Sequence, residues 1–410
     1  MIDAMPAKPS ILYLYLNDKP RDRVQELIWS GIRRYVSARG WQAVAWQDAR
    51  PEAMAEFLKA HSPVAGCVVE CSDDNGTLPP RIFGRIPVAY LHAAPSLYRG
   101  RGLRVVTDNA AVARLAFREL SAGRPEAYAF VGDYRGFSWS RVRGRAFRAL
   151  AVAAGAKCIL FRHVADRVER AARLKKWVAA LPRRTAIFAA NDFAASDVIA
   201  AAQATRRAIP QDITLIGVDN NPAICEGSSP KITSIQLDHE RAGYLAAKVV
   251  GHATRDMRHA EMSRASAPCV SNVACRLSQE IMSTLLVSPI LAVRRESTGG
   301  SGRHEPHVLA AVETIRREAC DGLTAQDVID RAPGSKSLFN LRFREAMGHS
   351  VHDEIEYVRF EKVFTLLAQT DTAIGAIADM CGYRSNIALH KAFRLRTGMS
   401  MSAWRAQNRR

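Results

Sequence analysis

Residues 186–220 are AIFAANDFAASDVIAAAQATRRAIPQDITLIGVDN, a stretch that alternates two kinds of pattern. The apolar run AIFAAND is followed by a helical pattern from Phe193 to Arg206 and then by the apolar run ITLIGVDN (213–220). Short apolar runs are typical of buried strands, and the longer segment between them keeps a helical period. A strand, a helix and a strand in succession predict neighbouring parallel strands with a helix packed on the sheet.

The same alternation begins near Ser10 and covers about two-thirds of the chain. We expect further strands in ILYLYLN (11–17), AVAW, GCVVE, IPVAYLH, LRVVTDN, YAFVGD (128–133) and KCILFRH. We expect helices over residues 24–40, 109–122, 141–154 and 168–180. The predicted fold of this part is therefore α/β with parallel sheets.

Polar side chains follow several of these strands where each strand ends. They are Asn17 and Asp18, Asp108 and Asn109, Asp133, Asn191 and Asp192, and Asp219 and Asn220. Each one alone is also explained as a helix N-cap. Ligands of such sheets bind beyond the carboxyl ends of the strands. As a set, these residues favour a polar cleft that hydrogen-bonds a polyhydroxylated ligand.

The composition excludes several classes of protein. With 410 residues we expect two or three domains, and eight cysteines are too few for a disulfide scaffold. No apolar run approaches the ~20 residues of a membrane span, and MIDAMPAKPS lacks the pattern of a secretory signal, so we expect a cytoplasmic protein. There is no Gly-x-Ser-x-Gly, P-loop, dinucleotide fingerprint or His-Glu-x-x-His motif. We therefore expect no catalytic residues, no cofactor and no metal site.

The formal net charge of +18 favours a polyanionic partner, although an arginine-rich proteome explains the same number. After Asp379 the sequence contains no acidic residue, while Arg384, Lys391, Arg394 and four further arginines follow. Charge alone leaves both explanations open.

The last hundred residues contain a repeat with an offset of fifty. Ser335, Phe343, Arg344, Gly348 and Ser350 fall on Ser385, Phe393, Arg394, Gly398 and Ser400. A fixed offset shared by several residue types indicates a duplicated unit.

Each copy has the pattern of two helices joined by a short turn. In the first, Thr324 caps residues 324–332, a turn follows at Pro333 and Gly334, and Ser335 caps a helix that runs to Met347. In the second, residues 374–381 lead through Gly382 and Tyr383 to a helix that Ser385 caps and that ends at Arg396. This is the helix-turn-helix arrangement, whose second helix enters the major groove of DNA. We expect Phe343, Phe393, Ile374, Ile377 and Trp404 to form the small cores of the motifs.

Residues 10–295 resemble the periplasmic-binding-protein-like sensor domain of LacI-type repressors. The matching segments are VTDN (106–109), SRVRGRAF (140–147), AANDFAA (189–195), ITLIGVDNNP (213–222), TSIQLDHERAGYLAAKVV (233–250) and PILAVRREST (289–298). The resemblance implies two lobes, a sugar-sized cleft between them and dimerisation. It also implies that Arg143, Asp192 and Asp219 contact the effector, with Asp108 and either Arg21 or Arg23 as further candidates. Phe137 or Trp139 would stack on a sugar ring, and core packing is the competing explanation for both.

LacI-type repressors carry their DNA-binding helices before this domain, whereas about nine residues precede the first predicted strand here. We therefore expect the DNA-binding element elsewhere in the chain. The last hundred residues closely resemble the AraC-type domain, which has two helix-turn-helix motifs joined by a long helix, here residues 354–367. Its second-motif signature is CGYRSNIALHKAFRLRTGMSMSAWR (381–405), with Met401 in place of the common proline and with Asn386 and Leu389 where larger side chains are common.

The resemblance implies DNA contacts from both second helices: Lys336, Ser337, Asn340 and Arg344 in the first, and Arg384, Ser385, Asn386, His390, Lys391 and Arg394 in the second. Phosphate contacts usually outnumber base contacts, so most of the basic residues should position the helix. Asn386, Arg384 and Asn340 are the candidates for base readout, because amide and guanidinium groups pair bidentately with purines.

The joint architecture resembles regulators of xylose operons, and LLVSPILAVRREST (285–298) also matches their pattern. We expect a sensor domain at 10–295, a linker at 296–306 and a tandem helix-turn-helix domain at 307–408. The resemblance implies a homodimeric transcription regulator, an activator of genes for a D-xylose-like pentose. Its partners would be an operator duplex, the sugar and RNA polymerase, with no membrane. The alternatives are a different small-molecule effector, a constitutive DNA binder with a degenerate pocket and a sugar-binding transport protein.

Overall fold

The computed structural model describes residues 9–15, 22–47, 51–60, 63–71, 80–93, 103–266, 284–299, 306–347, 349–369 and 372–408. The chain divides into two compact units, residues 1–290 with 295–301 and residues 291–294 with 302–410. Within the described ranges, no helix is long and apolar enough to cross a membrane.

Two parallel sheets organise the first two-thirds of the chain. The strands are β1 Ser10–Tyr15, β2 Gln42–Trp46, β3 Val64–Glu70, β4 Val88–Leu91, β5 Leu103–Thr107, β6 Ala127–Val131, β7 Cys158–Leu160, β8 Thr185–Ala189, β9 Ile213–Val218, β10 Thr233–Gln236, β11 Thr284–Val287 and β12 Leu291–Val293. One sheet has the order β11-β5-β4-β3-β1-β2, and the other has the order β12-β10-β9-β8-β6-β7. Neighbouring strands of the first sheet pair in parallel throughout, as do β10 to β7 of the second. The predicted α/β fold is confirmed.

Helices cover the faces of both sheets. They are α1 Arg23–Ser37, α2 Pro51–Ala60, α3 Asn109–Ser121, α4 Ser138–Ala153, α5 Arg167–Ala180, α6 Asp192–Ala204, α7 Pro222–Cys225 and α8 His239–Ser266. Helix α4 begins three residues earlier than the sequence predicted. Helix α1 ends before Gly40, which adopts a φ of +64° in the turn that follows. We call the first sheet with its helices the first lobe and the second sheet with its helices the second lobe.

The chain passes between the lobes at three places. It leaves the first sheet after β5, returns after β10 through α8, and leaves again between β11 and β12. These crossings are neighbours, because Asp108 N donates to Val287 O at 2.9 Å and Ile290 N donates to Gln236 O at 2.8 Å. The carboxyl ends of strands from both lobes therefore lie next to one set of crossings.

Residues 296–298, which the sequence analysis placed in the linker, form a short 3₁₀ helix in the first unit. Ser297 is fully buried, and its Oγ donates to Leu215 O at 2.6 Å. The predicted domain boundaries themselves stay a prediction.

The described residues of the C-terminal part include seven α-helices: α9 Pro306–Glu318, α10 Ala325–Arg331, α11 Lys336–Met347, α12 Val351–Gln369, α13 Ile374–Met380, α14 Asn386–Thr397 and α15 Met401–Asn408. Thr324 caps α10 in a capping box with Asp327. Ser385 caps α14 by accepting from Ala388 N at 3.2 Å. Both caps confirm the predicted helix starts, since a hydroxyl oxygen satisfies a backbone N–H that lacks a partner within the helix.

The predicted small cores of the two motifs are confirmed. Phe343 and Phe393 are fully buried, and Ile377 joins Phe393 in a cluster that includes Ile374 and Trp404 as partly buried members. Met401, which replaces the common proline, is also fully buried and opens α15. An aliphatic side chain at this position therefore contributes to the core of the second motif.

Helices α1 and α8 pack closely in the first lobe because each has a glycine where it meets the backbone of the other. A Cβ atom on Gly31 would lie 1.9 Å from Glu240 O, and one on Gly243 would lie 2.0 Å from Ile28 O. Arg34 Nη1 adds an ion pair with Glu240 Oε1 at 2.8 Å. The missing Cβ atoms set the distance between these two helices.

We predict that Gly31→Ala and Gly243→Ala each lower the free energy of unfolding by about 1–3 kcal/mol, because the added methyl forces the helices apart. Thermal unfolding would show a fall in the midpoint of several degrees. Gly123→Ala is the matched control, since its Cβ would meet its nearest neighbour at 3.8 Å. Equal midpoints for all three variants would contradict the prediction.

Candidate functional site

Asp192 is the most deeply buried carboxylate of the second lobe, with 1% of its surface exposed. It opens α6 directly after Asn191, whose side chain caps the helix by accepting from Ala194 N at 2.9 Å. Ser234 Oγ donates to Asp192 Oδ1 at 2.5 Å, and Asn221 N donates to Oδ2 at 2.7 Å. Burial and the nearby charge of Asp219 raise the pKa of Asp192 to about 7, against these two hydrogen bonds.

Asp219 and Asn220 follow β9 in a backbone conformation that is rare for residues with side chains. Their φ values are +97° and +47°. Asn and Asp tolerate this region better than other residues, and such strain persists only where surrounding structure holds it. Here Asn220 Nδ2 donates to Gln236 Oε1 at 2.9 Å, and Asn220 N donates to Ser234 Oγ at 3.0 Å. Burial raises the pKa of Asp219, which the charge of Arg143 opposes.

Arg143 reaches this group of carboxylates from α4 and is 4% exposed. Its Nε donates to Asn109 Oδ1 at 2.8 Å, and its Nη1 donates to Ala190 O at 2.6 Å. Burial lowers the pKa of Arg143 to about 10, while Asp219 and Asp192 act in the opposite direction. The guanidinium therefore stays charged at neutral pH. The three residues named first for the effector share one electrostatic environment.

The first lobe contributes a further carboxylate, that of the half-buried Glu70, at the end of β3. The Tyr13 hydroxyl donates to its Oε2. Burial is the main cause that raises the pKa of Glu70 to about 7, and Asp22 raises it further while Tyr13 and Gln25 lower it. From the start of α1, Arg23 Nη1 donates to Asn220 O at 2.7 Å. This hydrogen bond joins the two lobes across the carboxyl edges of their sheets.

Two histidines lie at the same edges. His92 follows β4 with a φ of +58°, and His239 begins α8 at a crossing between the lobes. Their ring centroids are 5.8 Å apart, and among the described residues neither Nε2 has a hydrogen-bond partner. Burial, together with nearby positive charge that includes Arg143, lowers the pKa of His92 to about 4 and that of His239 to about 3. Both rings are therefore neutral at pH 7 and able to hydrogen-bond an uncharged hydroxyl group.

The other residues predicted to contact the effector differ in their burial and in their contacts. Trp139 is half-buried, and the Arg143 Cζ lies 4.6 Å from its ring centroid. Phe137 is 4% exposed, and the Arg135 guanidinium covers its ring at 4.2 Å. Asp108 caps α3 by accepting from Ala111 N at 2.8 Å. Its carboxylate therefore acts as a helix N-cap, which was the alternative explanation for this residue. Arg21, Asn17 and Asp18 lie outside the described residues.

Sequence reasoning missed Glu70, His92 and His239. A search for polar residues at the end of every predicted strand would have found the first two. Glu70 ends GCVVE and His92 ends IPVAYLH, and both segments were predicted to be strands. Nothing in the local pattern marks His239. Its position depends on α8 beginning at a crossing between the lobes. Within the described ranges, no group of three or more His, Cys, Asp or Glu side chains is arranged to hold a metal ion.

The second helix of each motif exposes most of the predicted DNA contacts. On α14 and in the turn before it, these exposed residues are Arg384, Ser385, Asn386, His390, Lys391 and Arg394. On α11, Lys336, Ser337 and Arg344 are exposed and Asn340 is half-buried. Lys336 also pairs with Asp330 of the preceding helix. Basic and amide groups thus lie on the outward faces of both second helices, which suits contact with DNA phosphates and base edges.

The connecting helix α12 holds the second motif in place. The Tyr383 hydroxyl donates to Glu356 Oε2 at 2.9 Å, and the Phe360 and Phe393 ring centroids are 6.3 Å apart. Arg359 Nε and Nη2 donate to Ala319 O and Leu323 O, both at 2.9 Å, on the side of the first motif. One helix therefore makes contacts with both copies of the repeat.

Residues 117–274 match the family described as a periplasmic binding protein-like domain, and residues 330–407 match the family described as a helix-turn-helix domain. The chain joins a periplasmic binding protein-like domain to a helix-turn-helix domain. The first matched range contains Arg143, Asp192 and Asp219, and the second contains both α11 and α14.

The chain is similar to two proteins of the same name from different bacteria. The chain is 27% identical over 296 residues to the xylose operon regulatory protein of Escherichia coli strain K12, covering 71% of this chain and 70% of that protein. It is 26% identical over 308 residues to the protein of the same name from Haemophilus influenzae, covering 73% and 74%.

Solved structures with the same fold include two transcription regulators. A xylose-binding transcription activator aligns over 98% of both chains with a TM-score of 0.52 and 22% identity. A transcriptional regulator in complex with cellobiose covers 71% of this chain and 86% of its own, with a TM-score of 0.54 and 17% identity.

The raised pKa of Glu70 predicts a pH-dependent stability. Folding favours the protonated carboxyl, so Glu70 destabilises the native state progressively as pH rises from about 4.5 to about 7. Glu70→Gln removes the charge and keeps an oxygen that accepts from Tyr13. Its thermal midpoint should match the wild type near pH 4 and exceed it by a few degrees above pH 7.

The measurement is thermal unfolding from pH 4 to 8 in the absence of ligand. Glu126→Gln is the control, because it makes the same substitution at an exposed glutamate elsewhere in the chain. A difference between Glu70→Gln and wild type that stayed constant with pH would count against the prediction.

Proposed function

We propose that this protein is a DNA-binding transcription regulator whose activity is controlled by a small polyhydroxylated effector in the cleft between the lobes. The observation that carries the proposal is the presence in one chain of two features. One is a group of buried charged and neutral polar side chains at the carboxyl edges of both sheets, and the other is a duplicated helix-turn-helix with outward basic faces. The first suits a small polar ligand, and the second suits the major groove.

A neutral sugar fits the chemistry of the cleft. Arg143 and the buried carboxylates provide donors and acceptors in fixed positions, and the half-buried ring of Trp139 lies beside Arg143. His92 and His239 add groups that are uncharged at neutral pH. Such a set satisfies the hydroxyls of a sugar, which needs several directed hydrogen bonds and an apolar face. We propose a D-xylose-like pentose, in keeping with the names of the similar operon regulators.

The coupling between ligand and DNA follows from the two lobes. Residues from both contribute to the cleft, and the hydrogen bond from Arg23 to Asn220 already joins them. A ligand held by both lobes favours their closed arrangement through its higher affinity for that arrangement. We propose a homodimer in which closure alters the spacing of the DNA-binding domains and favours recruitment of RNA polymerase, so that the regulator activates sugar-catabolic genes. No step in this mechanism requires catalysis.

Thermal unfolding against a panel of monosaccharides led by D-xylose tests the sensor. A ligand that binds only the native state adds about 2.7 kcal/mol to the free energy of unfolding when its concentration is about one hundred times its dissociation constant. We expect a selective rise in the midpoint with one pentose. Arg143→Gln should lose this rise, because the buried guanidinium that holds the ligand is absent.

Arg145→Gln is the matched control, since Arg145 is exposed on the same helix. Each variant is compared with its own ligand-free midpoint. No rise with any sugar would remove the sugar from the proposal and leave DNA binding to be tested separately.

Binding to duplex DNA tests the second motif. Arg394→Ala should weaken binding to all sequences and reduce the slope of log affinity against log salt by about 0.9, since one phosphate contact is lost. Arg384→Ala should in addition relax sequence preference. Fluorescence anisotropy at several salt concentrations, with selected and scrambled duplexes, measures both effects. If both variants bound a selected duplex like wild type, α14 would not be the recognition helix.

A further inference from the structure

Ile387 is an exposed aliphatic residue near the start of α14, with 80% of its side chain accessible to solvent. Successive residues of a helix are about 100° apart, so Arg394 and Lys391 lie about 20° and 40° from Ile387 around the helix axis. Leu389 and Phe393, which are both fully buried, lie about 160° and 120° away. Ile387 is therefore central in the face that points away from the core.

The surroundings of Ile387 are polar and positively charged. His390, Lys391 and Arg394 are exposed on the same face, and the sequence has no acidic residue after Asp379. Isolated exposed aliphatic residues are common on protein surfaces. The distinguishing feature here is position, because the N-terminal part of such a helix is the part that contacts base edges. An apolar side chain in the middle of a cationic reading face is suited to contact an apolar group on a polyanionic partner.

The major groove displays such a group. Thymine carries a C5-methyl there, and apolar side chains recognise it by contact. We propose that Ile387 contacts the C5-methyl of a thymine and so makes α14 selective for a T·A pair at one position. The basic residues around it hold the helix against phosphates and neighbouring base edges. This inference rests on the proposed function, and it adds a specificity-determining residue that the family resemblance did not supply.

The test uses the full-length protein and a duplex selected by it from a random-sequence library. Each T·A pair of that duplex is replaced in turn by dU·A, which removes the methyl group alone. With wild type we expect one replacement to weaken binding about fourfold, the equivalent of about 0.8 kcal/mol for one buried methyl-sized group. With Ile387→Ala, we expect weaker binding to the thymine duplex and no further loss on that same replacement.

Leu395→Ala is the matched control. Leu395 is 88% exposed on the same helix but lies about 12 Å further along its axis, so this variant should keep the full thymine effect. Thermal unfolding confirms that both variants fold, as expected for exposed positions.

The inference is overturned if Ile387→Ala loses affinity yet keeps the wild-type response to dU, or if it binds every duplex like wild type. It is also overturned if the variant changes the oligomeric state in sedimentation without changing DNA affinity, since Ile387 would then contact another copy of the chain. If wild type enriches no duplex from the library, the proposed function fails as well. A duplex that is enriched but shows no thymine dependence removes only the role of Ile387.

Discussion

The buried guanidinium of Arg143 makes the hydrogen bonds on which the arrangement of the polar groups at the carboxyl edges of the sheets depends. An arginine that loses its water must gain hydrogen bonds and nearby negative charge, because an unpaired buried charge costs several kcal/mol. Arg143 obtains them from Asn109 at a crossing between the lobes and from Ala190 O just before α6, and Asp192 and Asp219 supply the negative charge. Arg143 on α4 therefore links the start of α3 to a residue between β8 and α6 through its hydrogen bonds.

The carboxylates of the two lobes have too few hydrogen bonds and positive charges to stabilise their ionised forms fully. Asp192 and Glu70 both have a pKa raised to about 7 by burial, and they belong to different lobes. Incompletely compensated charges, together with imidazoles that have no partner for Nε2 among the described residues, leave the site short of hydrogen bonds. The proposed polyhydroxylated effector would supply the hydrogen bonds that are missing.

Much of the architecture was predictable because its signals are local. The capping residues Thr324 and Ser385 begin the helices that the sequence assigned to them, and the fifty-residue repeat appears as two helix pairs with Phe343 and Phe393 in equivalent buried positions. The polar strand ends at Asp192 and Asp219 were also found from pattern alone. In contrast, Asp108 carries the same signal and serves as a helix cap, so the pattern cannot separate the two roles.

The sequence by itself determined the strands β1 to β9, the order in which they follow one another and where several helices begin. These features depend on periodicity and on hydrogen bonds within a few residues. Only the tertiary structure decided which polar groups meet. Arg143 bonds to residues 34 and 47 positions away, and Arg23 bonds to one 197 positions away. The crossings of the chain between two sheets set those contacts, and no local pattern records through-space distance.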